Sequence, residues 1–211
     1  MEHSLGFQQM HLAKVLENQD PQGKGRVQVR LMVNQLDIWA NCMSNSAGQN
    51  YGISFLPRKD EIVVLAFFRP DEAIVLGSVW SGSNSHPTDA QAVEDIYAIV
   101  TPGGTKLVMD ESSSPKVTIE TPAGHKITID DTGAGEVIID RSGDQVKLSA
   151  DGISITSSLK VKIEASQVEV SAGMVKVDAG MSNFSGVVKC DTLIATSVVG
   201  TSYTPGAGNI W

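Results

Sequence analysis

The stretch "VKLSADGISITSSLKVKIEASQVEVSAGMVKVDA", residues 146–179, carries apolar residues in i, i+2 pairs: Val146/Leu148, Ile153/Ile155, Val161/Ile163, Val168/Val170 and Val175/Val177. Successive pairs start 7, 8, 7 and 7 residues apart, and the residue inside each pair is polar: Lys147, Ser154, Lys162, Glu169 and Lys176. Side chains alternate across a strand, so each pair marks a short strand with one apolar face. A spacing near seven also suggests a coiled coil. That reading fails, because residues i and i+2 lie on nearly opposite sides of a helix and the pairs form no seam. Val, Ser, Thr and Gly are poor helix formers besides.

A single-chain solenoid needs several strands per coil to close around a core, and one strand of about three residues per repeat fits it poorly. Disorder is opposed by the regular alternation. The arrangement that satisfies the pattern is an intertwined trimer. Each chain lends one short strand per face, the apolar pairs fill a narrow shared core, and Lys, Ser or Glu faces water. Closure around a threefold axis also removes the exposed edges a lone chain would carry. The expected trimer core is therefore Val146, Leu148, Ile153, Ile155, Val161, Ile163, Val168, Val170, Val175 and Val177.

Upstream of this series, "TKLVMD", "KVTIET", "HKITIDD" and "EVIID" read as further short strands, with Ile119, Ile129 and Ile139 ten residues apart. The polar stretch "SGSNSHPTDAQAVED", residues 81–95, separates them from a different N-terminal pattern. There "LAKVLEN", "GRVQVRLMV", "LDIWANCM", "DEIVVLAFF" and "EAIVLGSVW" predict five strands, punctuated by "QDPQGKG", "SNSAGQNYG" and "RPD". Five strands in so short a span suit a small Greek-key barrel of the OB type. The fold class is all-β: an OB-fold barrel followed by an intertwined trimeric β-helix. The expected divisions are 1–85 for the barrel, 86–100 for a connector, 101–200 for the β-helical shaft and 201–211 for an apex.

A net charge of −8 argues against a nucleic-acid partner, because phosphate neutralisation needs a basic face. Cys42 and Cys190 stand far apart in dissimilar contexts and are expected to be isolated, buried thiols. "MEHSLGFQQMHLAKV" has no basic region followed by an apolar run, so no signal peptide is expected, and no window is long and apolar enough for a membrane span. Signals for catalysis are lacking. "GKGR" lacks P-loop spacing, "TPGGTK" reads as a hairpin turn, and Asp130/Asp131 and Asp140/Asp144 fall at strand ends where solvated acids are commonplace. No enzyme activity, cofactor or metal is expected.

The N-terminal half resembles the OB-fold domain of contractile-tail spike proteins, the baseplate assembly protein V and VgrG-like group. The likeness rests on "ENQDPQGKGRVQVRL", the Trp-Ala of "DIWANCM", "SAGQNYG", "LPRKDEIVVLAFF" and "DEAIVLGSVWSGSNSHP", in that order. "TPAGHKITIDDT" likewise resembles the start of the triple-stranded β-helix of these spikes. The resemblance implies a homotrimeric, membrane-piercing central spike of a contractile phage tail baseplate, acting mechanically on the host outer membrane and located in the virion. Its implied partners are further copies of itself, tail hub or tube proteins at the OB domain, the outer membrane in passing, and a small tip protein. A phage-like injection system, type VI or pyocin, or a β-helical carbohydrate-binding adhesin are the alternatives. Many short spikes of this group end in a His-x-His motif that holds an iron ion. Here His3, His11, His86 and His125 all lie far from the C-terminus, so no such site is expected, and His125 reads as a surface histidine. Tyr203, Pro205, Ile210 and Trp211 are instead expected to form the apex, facing the membrane interface or plugging the end of the shaft. A lysozyme domain, present in some larger relatives, has no room between barrel and shaft.

Overall fold

The computed structural model describes residues 10–69, 72–81, 86–90 and 94–202, and the chain divides into two units, Met1–Val161 and Lys162–Trp211. Seven strands come first: β1 (Met10–Glu17), β2 (Val27–Leu31), β3 (Asp37–Cys42), β4 (Ala47–Gly48), β5 (Tyr51–Gly52), β6 (Ile62–Arg69) and β7 (Glu72–Val79). Five of them close a barrel in the order β1-β2-β3-β7-β6. All neighbours are antiparallel except β3 and β7, whose parallel pairing at Asn41↔Ile74 and Cys42↔Val75 makes the closure. The alternation in the sequence sets the inner face: Ala13, Val15, Val27, Val29, Leu31, Ala40, Val63, Leu65, Ala73 and Val75 pack into one core. The five expected barrel strands are all present, and the expected OB topology class holds. The tiny β4–β5 hairpin, closed by Asn50 at a φ of 62°, falls where the sequence reads only as a turn.

One turn explains why "DPQGKGR" is so polar. The Asp20 carboxylate accepts hydrogen bonds from the backbone N–H of Gln22 (2.9 Å) and Lys24 (3.1 Å) and from the Arg26 guanidinium (2.9 and 3.0 Å). Gly23 and Gly25 supply the positive φ that wraps the backbone around it. Arg26 in turn stands over the Trp39 ring at 5.5 Å, linking the β1–β2 turn to β3.

Between Pro87 and the next strand lies a 3₁₀ turn, Thr88–Ala90. His86 bonds the Ala90 carbonyl through Nε2 (2.7 Å) and meets Trp80 edge-on, and Asp89 pairs with Lys106 at 2.7 Å. Then β8 (Ile96–Val100), β9 (Lys106–Asp110), β10 (Lys116–Glu120), β11 (His125–Asp130), β12 (Glu136–Arg141), β13 (Asp144–Ser149) and β14 (Gly152–Thr156) form a seven-stranded antiparallel meander. Strand β8 lies inside the stretch read as connector, so the sheet begins before residue 101. From β8 to β14 every strand pairs with its neighbour in the same chain, whereas the sequence pattern predicted rungs completed by other chains. The reason is turn chemistry. "TPGGT" and "TPAGH" make matching reversals, with Gly104 N–H donating to Thr101 O and Gly124 N–H to Thr121 O, each glycine at positive φ. Ser142 and Gly143, both at positive φ, form the two-residue turn that right-twisted hairpins favour. Among the described residues no strand follows Thr156.

Candidate trimerisation surface

Directly opposed residues in antiparallel strands project to the same face, so the register defines rows running across the whole sheet. One row is Ile99, Leu107, Ile119, Ile127, Ile139, Val146 and Ile155. The second is Tyr97, Met109, Val117, Ile129, Val137, Leu148 and Ile153. Members of the two rows are two residues apart in every strand, so both lie on one face. Every position is apolar or aromatic. Ten of these side chains are exposed, from 38% for Ile127 to 73% for Ile153. Leu107, Val117, Val137 and Val146 are half-buried.

The other face carries Ala98, Val108, Thr118, Thr128 and Ile138 along its middle and is ionic at its edges. Lys116 stands directly opposite Asp110 on one side and Asp130 on the other, with its Nζ 2.7 Å from Asp130. Lys147 pairs with Glu136 at 2.5 Å, and Lys106, Glu120, Lys126 and Asp140 alternate in sign across four strands. Hydrogen bonds from Lys116 and Thr132 hold the Asp130 carboxyl down at about 2. Opposite charges in register favour one pairing, and a slip of one residue would turn both faces inside out.

A monomer seldom exposes so large an apolar sheet face. Covering it gives on the order of 1 kcal/mol per side chain, since each is already partly shielded and full burial is worth about 1.5–3 kcal/mol. Summed over the rows, that is comparable with the roughly 4–15 kcal/mol cost of association.

Of the expected core residues, Val146, Leu148, Ile153 and Ile155 take part in these rows. Val161, Ile163, Val168, Val170, Val175 and Val177 lie in no strand and are 56–72% exposed, so no pairing within the chain gathers them into a core. Tyr203, Pro205, Ile210 and Trp211 fall outside the described residues, as does His3. Sequence reasoning found Ile119, Ile129 and Ile139 but missed their row partners Tyr97, Ile99, Leu107, Met109, Val117, Ile127 and Val137. The signal was present: the pairs 97/99, 107/109, 117/119, 127/129 and 137/139 repeat every ten residues.

The reactive groups are dispersed. Cys42 and Cys190 are free thiols, Cys42 half-buried with its pKa pushed up by burial, and Cys190 exposed rather than buried as expected. His125 is exposed at the start of β11, and His11 lies edge-on to Phe67. No group of three His, Cys, Asp or Glu side chains among the described residues could hold a metal ion, and no described helix is long and apolar enough to cross a membrane.

Comparison with known families places both halves. Residues 11–80 match the type VI secretion system/phage-baseplate injector OB domain, and residues 116–181 match the phage baseplate V C-terminal trimerisation domain. The second match spans β10 to β14 and continues through the unpaired series. No curated protein matches the chain.

Proposed function

This chain belongs to the phage baseplate V group of contractile-tail spike proteins, and from that premise we propose that it is the homotrimeric, membrane-piercing central spike of a phage tail baseplate. The observation that carries the reading is the two-row apolar face, five of whose seven strands, β10 to β14, lie inside the segment matched to a trimerisation domain. Three such faces meeting on a threefold axis bury one another, with the ionic faces outward. Beyond Thr156 the apolar pairs find partners only in neighbouring chains, and the three chains wind together as a β-helix. A rod whose strands are hydrogen-bonded rung to rung has no hinge, and it passes on axial thrust without buckling.

In this reading the barrels seat on tail hub or tube proteins. Residues 203–211, with Tyr203, Pro205, Ile210 and Trp211, form the apex that meets the outer membrane or receives a tip protein. The work is mechanical, and no covalent step or metal enters it. The OB match is described for type VI and phage injectors alike, so a bacterial injection system is the second reading. The phage assignment of the C-terminal match favours the first. Particles assembled with the chain truncated after Ser202 test the piercing role. Sheath contraction against whole cells should then release markedly less periplasmic marker than intact particles do. Equal release would remove the apex from the mechanism.

A further inference from the structure

The sheet ends at an unusual corner. If β14 continued past Thr156, the register Gln145↔Thr156 would set Ser157 opposite Asp144. The strand stops there instead. Ser157 Oγ donates to the Asp144 carboxylate at 2.9 Å, and the Ser158 backbone N–H donates to the same oxygen at 3.0 Å. The Ser157 hydroxyl oxygen then accepts from the backbone N–H of Leu159 (3.4 Å) and Lys160 (3.3 Å). A four-residue corner is thereby stapled to the first residue of β13, immediately before Val161, the first apolar residue of the series without an in-chain strand partner.

Two further observations bear on this corner. Strand β14 is the terminal strand of the sheet, paired on one side only and exposed along its length. Its open edge is a row of unmet backbone donors and acceptors, a template for another strand. The chain itself is poorly equipped to turn back and cover it. Between Gly152 and Gly173 there is no glycine, asparagine or aspartate, the residues that most readily supply the positive φ of a tight hairpin turn.

We propose that the Asp144–Ser157–Ser158 corner is the registration point at which each chain stops pairing with itself and begins pairing with its neighbours, delivering Val161–Ile163 in fixed register to the open β14 edge of an adjacent copy. This rests on the trimeric reading and adds a positioning role for three polar residues outside the apolar core. By holding the departing segment at one length and one exit point, the corner selects a single register where the repeated Val-x-Val pairs would otherwise permit slippage by one repeat.

Hydrogen exchange on the purified full chain, resolved by peptide, tests it. In the wild type, amides of residues 161–177 should be protected about as well as those of 96–149. In Asp144→Ala, protection of 161–177 should fall at least tenfold with that of 96–149 unchanged, and Asp144→Asn, which keeps an acceptor oxygen for both serines, should restore it. Wild-type protection in Asp144→Ala overturns the proposal, as does a loss spread evenly over both segments, which would make Asp144 a general support of the sheet. Should Asp144→Ala fail to fold, Ser157→Ala carries the same pair of outcomes. A monomeric wild type with 161–177 unprotected would sink the trimeric reading and this proposal together, a result distinct from a protected trimer indifferent to Asp144.

Discussion

At the scale of single residues, the chain relies on carboxylates that organise turns and register. Asp20 has its side chain 2% exposed and gathers three backbone N–H groups and a guanidinium, which hold its carboxyl well below the usual range. Asp20→Ala leaves those donors and the Arg26 charge without their acceptor. We expect a drop of several degrees in the barrel's melting temperature, read by calorimetry, with Asp20→Asn falling between. Asp130 gives a pH dependence instead. Its folded pKa of about 2 lies below the ordinary 3.8, so its ionised form stabilises the sheet. The sign follows by linkage: the contribution is full above about pH 4 and lost as pH falls from there toward 2. Asp130→Asn should flatten the acid limb of the stability curve in that window and change little at pH 7 beyond a constant offset. An unchanged acid limb would remove Asp130 from the account.

At the scale of elements, the sheet's two faces differ in character, and substitutions test the tasks proposed for them. Ile139→Asp plants a charge in the middle of one apolar row, where each trimer would bury three carboxylates without partners, at a cost of several kcal/mol apiece. Light scattering should then find monomer at micromolar concentrations. Ser154→Asp, on the ionic face opposite Lys147, should leave the mass untouched. Matching masses for the two variants would mean that the segment beyond Thr156 holds three chains together without the apolar face. Much of this was legible beforehand. The barrel strands could be read because each is alternating and bounded by Gly, Pro, Asn or Asp, and the sheet strands because Val-x-Ile pairs recur. What could not be read was which chain supplies the partner. The ten-residue pairs and the seven-residue pairs have the same alternation; only the turn residues distinguish them. Ser142–Gly143 and Asp151–Gly152 permit reversal, whereas Ser157–Ser158–Leu159–Lys160 does not. Strand β8 hid beside the polar connector because Glu94 and Asp95, followed by the short "IYAIV" run, look like a loop with a brief apolar patch.

At the scale of the whole molecule, the proposed trimer would join two kinds of association along the chain, and they would differ in kinetics. Sheet faces that meet by apolar burial separate and rejoin by mass action. Chains that exchange strands rung after rung come apart only by cooperative unwinding, so their persistence is set by an unfolding barrier. The full chain should therefore measure near three chains in solution and still migrate as a trimer in SDS when unboiled. Val168→Asp strikes only the second mode, since Val168 lies beyond the last strand of the sheet. We expect this variant to keep a three-chain mass by light scattering at micromolar concentration while running as a monomer in unboiled SDS. The dissociation into two behaviours is the informative result. If the variant is monomeric in both assays, the sheet faces are too weak to hold three chains and the wound segment carries assembly. If it resists SDS as the wild type does, residue 168 is outside any shared core, and the seven-residue series must find its partners in some other way.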